Sequence, residues 1–186
     1  MKKHNLAFTD LETTGLDAHK HEIIEIGCIV ARQIQGLGIG GGPKVEIITD
    51  FAIKIKPEHI ETSDPEALKI NHYNEEDWKG AVSLEEAMKF YAEKTRDAEL
   101  IGQNVSFDWV FLDEAFRKTG VKNWMHYHRL DVMSMAFAKL YDDNNAQKFS
   151  LRALCDYFGV KNEHAHSAMS DTRATFEIYK KLLELE

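Results

Sequence analysis

The chain has 186 residues, 44% hydrophobic and 29% charged, with 23 lysines and arginines against 31 aspartates and glutamates. A chain of that length can bury roughly 70% of its extended surface without a metal or disulfide staple, and its composition excludes wholesale disorder. The net charge of -8 excludes a protein that coats duplex DNA through a basic face, because that affinity comes from lysine and arginine neutralising phosphates. It leaves open a site that meets nucleic acid through metal ions.

Residues 1–186 read as one domain, with no repeat and no linker long enough for a second. Cys28 and Cys155 are too few for a disulfide framework and sit in apolar runs, so both are expected to be buried free thiols. The short apolar run Leu6-Ala7-Phe8 falls far below a signal-peptide core, and no stretch approaches the ~20 apolar residues of a membrane helix. A reducing cytoplasm is the expected compartment, with no membrane partner.

In chain order, residues 5–10 predict a strand, 22–32 a second and 45–56 a third. The glycine run between the last two contains G-x-G-x-x-G at Gly36, Gly38 and Gly41. A dinucleotide site needs a helix next, whereas a β-branched, alternating segment follows, so the run reads as a hairpin tip. Ser63-Asp64-Pro65-Glu66 and Ser83-Leu84-Glu85-Glu86 each open a helix with a capping signal. Residues 99–102 predict a short buried strand, and 107–119 a helix that Gly120 ends. Residues 129–131 predict a fifth strand before a helix over 132–141, and helices over 150–158 and 171–183 complete the set. Three early strands followed by strand–helix alternation give an α/β fold: a central mixed five-stranded sheet flanked by helices.

Within that frame several carboxylates look misplaced. Strand alternation puts Leu6, Phe8, Asp10 and Glu12 on one face, apolar and then abruptly acidic. Side chains at i and i+2 lie about 7 Å apart at the backbone, so both can converge on one cation. Asp108 heads a helical stripe continued by Phe111, Leu112 and Ala115, and Asp171 heads another continued by Ala174, Thr175, Ile178 and Leu182. Each acid alone is an ordinary strand end or first-turn residue that complements a helix dipole. Together, four acids at the ends of core-facing stripes would repel one another unless divalent cations offset the charge. Oxygen-only ligands select Mg²⁺ or Mn²⁺ over Zn²⁺, and such a cluster suits a two-metal phosphodiester hydrolase.

Among nine histidines, His126-Tyr127-His128 and His164-Ala165-His166 form H-x-H pairs, but no matching Cys or His cluster in the sequence supports zinc. His166 lies five residues before Asp171 in a small, polar segment, from which a neutral imidazole could take a proton from a metal-polarised water.

Three segments, Phe8-Thr9-Asp10-Leu11-Glu12-Thr13-Thr14-Gly15-Leu16, Gly102-Gln103-Asn104-Val105-Ser106-Phe107-Asp108 and His166-Ser167-Ala168-Met169-Ser170-Asp171, resemble the exonuclease motifs of the DEDDh family. That family includes the proofreading subunit of bacterial DNA polymerase III, ribonuclease T and oligoribonuclease. The motifs stand in the family's order and span nearly the whole chain. The resemblance implies a ribonuclease H-like fold and release of nucleoside 5′-monophosphates from the 3′ end of single-stranded DNA or short RNA. It implies two divalent ions, Mg²⁺ or Mn²⁺, held by Asp10, Glu12, Asp108 and Asp171, with His166 as general base. Carried over likewise, Thr13, Thr14, Gly15 and Leu16 line the pocket of the terminal nucleotide, with Leu16 wedged against a base and Asn104 and Phe107 nearby. Homodimers and polymerase partners both occur among relatives.

Two departures bear on subfamily and substrate contacts. Residues 70–74 stand where relatives often carry a His-Gly-Ile-Thr-like stretch. Tyr127-His128-Arg129-Leu130-Asp131-Val132 is similar to oligoribonuclease, whereas Glu12-Thr13-Thr14-Gly15 is closer to the proofreading type. No clamp-binding tail is read after Leu183. Two rival functions are weaker. An aspartyl-phosphate phosphatase wants a second Asp where this chain has Glu12, and it leaves Asp108 and the His166–Asp171 spacing without a role. A catalytically idle binding or partner module on the same fold would have no need of all five catalytic positions.

Overall fold

The computed structural model describes residues 4–34 and 44–185. At its centre β1 (Leu6–Thr13) pairs antiparallel with β2 (Ile23–Ile34), which pairs antiparallel with β3 (Lys44–Lys54). On its other side β1 pairs parallel with β4 (Glu99–Gly102), and β4 with β5 (Arg129–Asp131). The strand order β3-β2-β1-β4-β5 is the expected mixed five-stranded sheet. Ile34 stands opposite Lys44 at the end of the β2–β3 ladder; the glycine run at 36–42, expected to be a hairpin tip, lies outside the described residues.

The helices are α1 (Pro65–Ile70), α2 (Leu84–Lys94), α3 (Val105–Thr119), α4 (Val132–Lys139), α5 (Leu151–Phe158) and α6 (Ala168–Glu184). Their ends follow the expected capping chemistry. Asp64 caps α1 ahead of Pro65, Ser83 and Glu86 form a reciprocal capping box on α2, and Gly120 ends α3 in the left-handed region.

As the central strand, β1 buries both faces. Ala7 and Leu11 join Met88, Tyr91, Phe111 and Leu112 beneath α2 and α3. Leu6 and Phe8 point the other way, into a core with Val132, Leu154, Ile178 and Tyr179 from α4, α5 and α6. Phe8 meets the rings of Phe176 and Tyr179 edge-on, each with centroids 5.1 Å apart. Each such pair contributes about 0.5–1.5 kcal/mol beyond area burial and helps seat α6 on β1. Thr9 on the opposite face satisfies its buried hydroxyl against Tyr91 Oη at 2.9 Å. Cys28 and Cys155 are both buried and free, as their apolar runs imply. Among the described residues, no helix is long and apolar enough to cross a membrane.

Several element ends differ from the sequence pattern by a few residues, among them α3, which begins at Val105, and two of the differences shape the site. β1 runs on to Thr13 because β2 pairs with it past both acids. α6 begins at Ala168, three residues before Asp171, so Asp171 is a first-turn acid that points along the helix face into the protein. α4 stops at Lys139, short of residue 141.

Candidate active site

The C-terminal end of β1 brings its two acids between two helix starts. Asp10 is half-buried and Glu12 is buried, on the face that α6 covers, and Asp171 descends from the first turn of α6. One carboxylate oxygen from each of Asp10, Glu12 and Asp171 lies within 4.8 Å of the others. Asp108 comes from the first turn of α3 on the other side of the sheet, only 3% exposed, and its Oδ1 accepts the Leu11 backbone N–H at 3.1 Å. That bond aims Asp108 at the strand between Asp10 and Glu12.

Two glycines permit these approaches. Gly27 on β2 is the partner of Asp10 in the ladder, and a Cβ there would lie 2.3 Å from the Ala168 backbone. The first turn of α6 can therefore rest directly on the sheet. Gly102 ends β4, and a Cβ there would stand 3.2 Å from Asp108 Oδ2 and from the Thr9 carbonyl oxygen. At Gly27 the close packing needs the absence of a side chain, whereas at Gly102 a Cβ would fit only if its neighbours gave by a few tenths of an ångström.

The electrostatics are those of an uncompensated cluster. Burial, followed by Asp108, Glu12, Asp171 and Glu25, pushes the Asp10 carboxyl well above its usual range. Burial and then Asp171, Glu25 and Asp108 push Glu12 up to about 8. Burial raises Asp108 to about 8 although its own backbone N–H and that of Leu11 oppose the shift, with Asp131 adding repulsion. The charges acting on Asp10 and Glu12 are all carboxylates. An all-oxygen donor set with its repulsion unrelieved fits hard divalent cations, which would supply the missing positive charge.

Several supporting residues escape a reading of the sequence. Glu25 faces Glu12 across the ladder and Lys54 on its other side. Burial raises its carboxyl, while Lys54, the Ala168 backbone and the Ser167 side chain lower it. It thus ties the start of α6 to β2. An acid inside Ile23-Ile24-Glu25-Ile26 was the available signal. Asn162 Nδ2 donates to Asp171 Oδ1 at 2.6 Å, and Ser170 Oγ donates to Asn162 Oδ1 at 2.6 Å, which fixes the amide's orientation. Asp131 Oδ1 accepts the Asn104 backbone N–H at 2.8 Å while its Oδ2 accepts that of Ser134, bracing the start of α3 and capping α4.

His166 is exposed and left-handed, with φ 66°, and its backbone N–H donates to Asp171 Oδ2 at 3.3 Å. It lines a cavity of about 470 Å³ with Glu25, Lys54, His72, Trp78 and Asn162. His164 lines the same cavity. Thr13 and Thr14 are buried and serve the backbone: Thr13 Oγ1 donates to the Gly15 carbonyl at 2.7 Å, and Thr14 Oγ1 accepts the Glu22 N–H at 2.9 Å. The Thr13 carbonyl in turn accepts from Asn71 Nδ2 at 2.7 Å, which anchors the 70–74 segment beside the site. These bonds hold out the turn on which Leu16 is 81% exposed. Asn104 is exposed in the left-handed region ahead of α3, and Phe107 is half-buried against Phe111.

Comparison with known proteins identifies the family and the fold. The exonuclease family profile matches residues 7–179. The chain is 30% identical over 177 residues to a PolC-type DNA polymerase III of Caldanaerobacter subterraneus subsp. tengcongensis, covering 94% of this chain and 11% of that protein. It is 29% identical over 181 residues to the DNA polymerase III epsilon subunit of Pasteurella multocida, covering 91% of this chain and 64% of that subunit. Solved structures of exonuclease I superpose with a TM-score of 0.73 at 19% identity over 97% of this chain and 40% of theirs, showing the ribonuclease H-like fold. Another, E. coli exonuclease I in complex with a dT13 oligonucleotide, gives a TM-score of 0.72 at 18% identity, covering 97% of this chain and 41% of that one. The chain thus spans only part of the proteins it matches. With its family profile, motifs and fold in agreement, the chain belongs to the exonuclease family, among its DEDD-type members.

Proposed function

We propose that residues 1–186 act as one metal-dependent exonuclease domain that removes nucleotides from the 3′ end of single-stranded DNA or short RNA and releases nucleoside 5′-monophosphates. The observation that carries this reading is the convergence of Asp10, Glu12 and Asp171 within 4.8 Å, with Asp108 aimed at the same stretch of β1. Asp10, Glu12 and Asp171 would hold one divalent ion, and Asp10 with Asp108 a second, as Mg²⁺ or Mn²⁺. Bound there, the pair would neutralise phosphate charge and generate a nucleophilic hydroxide at neutral pH.

The chain's own residues position and deprotonate. Asn162 holds Asp171 in one orientation, and the Leu11 N–H holds Asp108. The His166 imidazole, at the exposed rim beside Asp171, would accept the proton of the attacking water through a ring nitrogen. Leu16, held out on its turn, would pack against the terminal base, with Asn104 and Phe107 nearby. The net charge of -8 favours brief engagement of a few terminal nucleotides over a grip on long duplexes. The relatives named as polymerase III proteins motivate a polymerase as the partner that delivers such ends; homodimerisation is the alternative. Two buried free cysteines suit a reducing, cytoplasmic setting.

The test follows 3′-labelled and 5′-labelled DNA and RNA oligomers of graded length with Mg²⁺, Mn²⁺ or EDTA. Immediate loss of 3′ label as mononucleotide, with 5′-labelled products shortening stepwise, is expected in either metal. Shortening from the 5′ end, or equal activity in EDTA, would overturn the proposal.

A further inference from the structure

Three cations lie on indole rings along the β5 side of the molecule, where the strand order ends. Arg129 opens β5 and faces α3, with its guanidinium carbon 3.6 Å from the centre of the Trp109 ring. Trp109 directly follows Asp108 in α3. Farther from the acid cluster, Arg96 and Lys122 approach the Trp124 ring at 4.4 and 3.8 Å.

These charges are not neutralised. Among the described residues, none of the three cations has a carboxylate within 4.0 Å, whereas Arg117 and Arg173 hold carboxylates at 2.6 and 3.0 Å. Asp113 acts on Arg129 only at longer range. Three unpaired cations in a row are a local exception in a chain of net charge -8. All three are exposed, beside a half-buried Trp109 and an exposed Trp124. An indole face attracts a cation without cancelling its charge. Each cation is thus held in place yet open to an anion, which lowers the ordering cost of binding one.

The row leads to the acid cluster. Arg129 and Asp131 share one face of β5, about 7 Å apart at the backbone. Asp131 Oδ1 accepts the Asn104 N–H at 2.8 Å, so Arg129 stands one such step from the segment that carries Asp108. Arg129 is opposite Leu100 in the ladder, and the Trp124 carbonyl accepts the Asp97 N–H at 2.9 Å. From Gly102 back to Asp97 the chain covers about 15 Å. That is the length of about four or five stacked nucleotides at ~3.4 Å each.

We propose that Arg129, Lys122 and Arg96 form a phosphate track for a single strand whose 3′ end lies at the acid cluster. The inference rests on the 3′-end cleavage proposed above and extends it to the nucleotides upstream of the scissile bond. Phosphate contacts carry no sequence information, so the track sets affinity and register, not base preference.

The test is binding of fluorescent single-stranded dT10 and rU10 to the full chain, in EDTA to prevent metal-dependent cleavage, across a salt series. Each phosphate neutralised on a single strand contributes about 0.7 to the steepness of log K against log salt. Arg96→Gln, Lys122→Gln and Arg129→Gln together should weaken binding at least about tenfold at low salt and reduce that slope by about 2. Arg129→Gln alone should reduce it by about 0.7, and Arg129→Lys should restore it. Circular dichroism checks each fold, and the single variants decide the matter if the triple variant does not fold. Wild-type binding with the expected slope changes but no cleavage in Mg²⁺ would reject the exonuclease reading and support the track. No binding by the wild type at low salt, or an unchanged affinity and slope in the folded variants, would overturn the track. In the latter case, loss of a protein partner by the same variants would assign the row to that partner instead.

Discussion

Gly27 lies against the backbone of Ala168 so closely that a methyl group on it would stand 2.3 Å from the Ala168 carbonyl carbon. Gly27 is also the ladder partner of Asp10, and Ala168 opens the helix that carries Asp171. The contact therefore sets the distance between two of the acids. Gly27→Ala should push the start of α6 off the sheet. A displacement of about 1 Å costs roughly 10²-fold in turnover, and overpacking destabilises by about 1–3 kcal/mol. Steady-state kinetics on an oligonucleotide beside thermal unfolding would show both losses.

Burial of the Glu12 and Asp108 carboxyls, with charge repulsion added, predicts an unusual pH dependence of stability without metal. Glu12 moves from 4.5 to about 8 on folding, and Asp108 from 3.8 to about 8. Between the lower and upper values the folded state binds more protons than the unfolded state, so stability must fall as pH rises. The contribution is fully present below about pH 4 and lost through pH 8. In EDTA, Tm should decline across that window, by about 2–4 °C for each kcal/mol lost. Saturating Mg²⁺ should flatten the decline, and Glu12→Gln should reduce it in EDTA. Differential scanning calorimetry at stepped pH separates these cases.

Asn162 touches Asp171 and has no place in the proton chemistry proposed. Asn162→Ala leaves Asp171 without the 2.6 Å bond that orients it. The Mg²⁺ concentration for half-maximal activity should rise about 10–100-fold, the usual cost of losing an outer-shell partner. At saturating Mg²⁺, kcat should recover most of its value. A kcat that stays low with an unchanged Mg²⁺ midpoint would argue for a direct role instead.

Leu16 is 81% exposed and contributes little to the core. Burying a leucine side chain against a base is worth about 1.5–3 kcal/mol. Leu16→Ala should therefore raise KM for an oligonucleotide about 10–100-fold while leaving Tm within a degree or so. Equal KM values would place the terminal base elsewhere.

Much of this site was legible along the chain because acids terminate apolar stripes there. The alternation Leu6, Phe8, Asp10, Glu12 and the helical stripe from Asp171 to Leu182 are local patterns, and the fold preserves both. The role of Gly27 was not legible, since nothing in Ile26-Gly27-Cys28 reveals that another segment's backbone will lie on it. Asn162 and Asp131 escaped for the same reason: each acts on a residue 9 or 27 positions away only after folding. The start of α6 was misplaced to Asp171 because Glu25, a strand residue distant in sequence, helps hold its first turn.

The central claim is that Asp10, Glu12, Asp108 and Asp171 form one metal-dependent centre for cleavage at a 3′ end. Its most direct test is mononucleotide release from a 3′-labelled single strand in Mg²⁺, comparing the wild-type chain with Asp171→Asn. The wild type should release labelled 5′-monophosphate, and the folded variant should release at least about 10³-fold less, a loss of roughly 4 kcal/mol in transition-state stabilisation. A folded Asp171→Asn protein within tenfold of wild type would contradict the account.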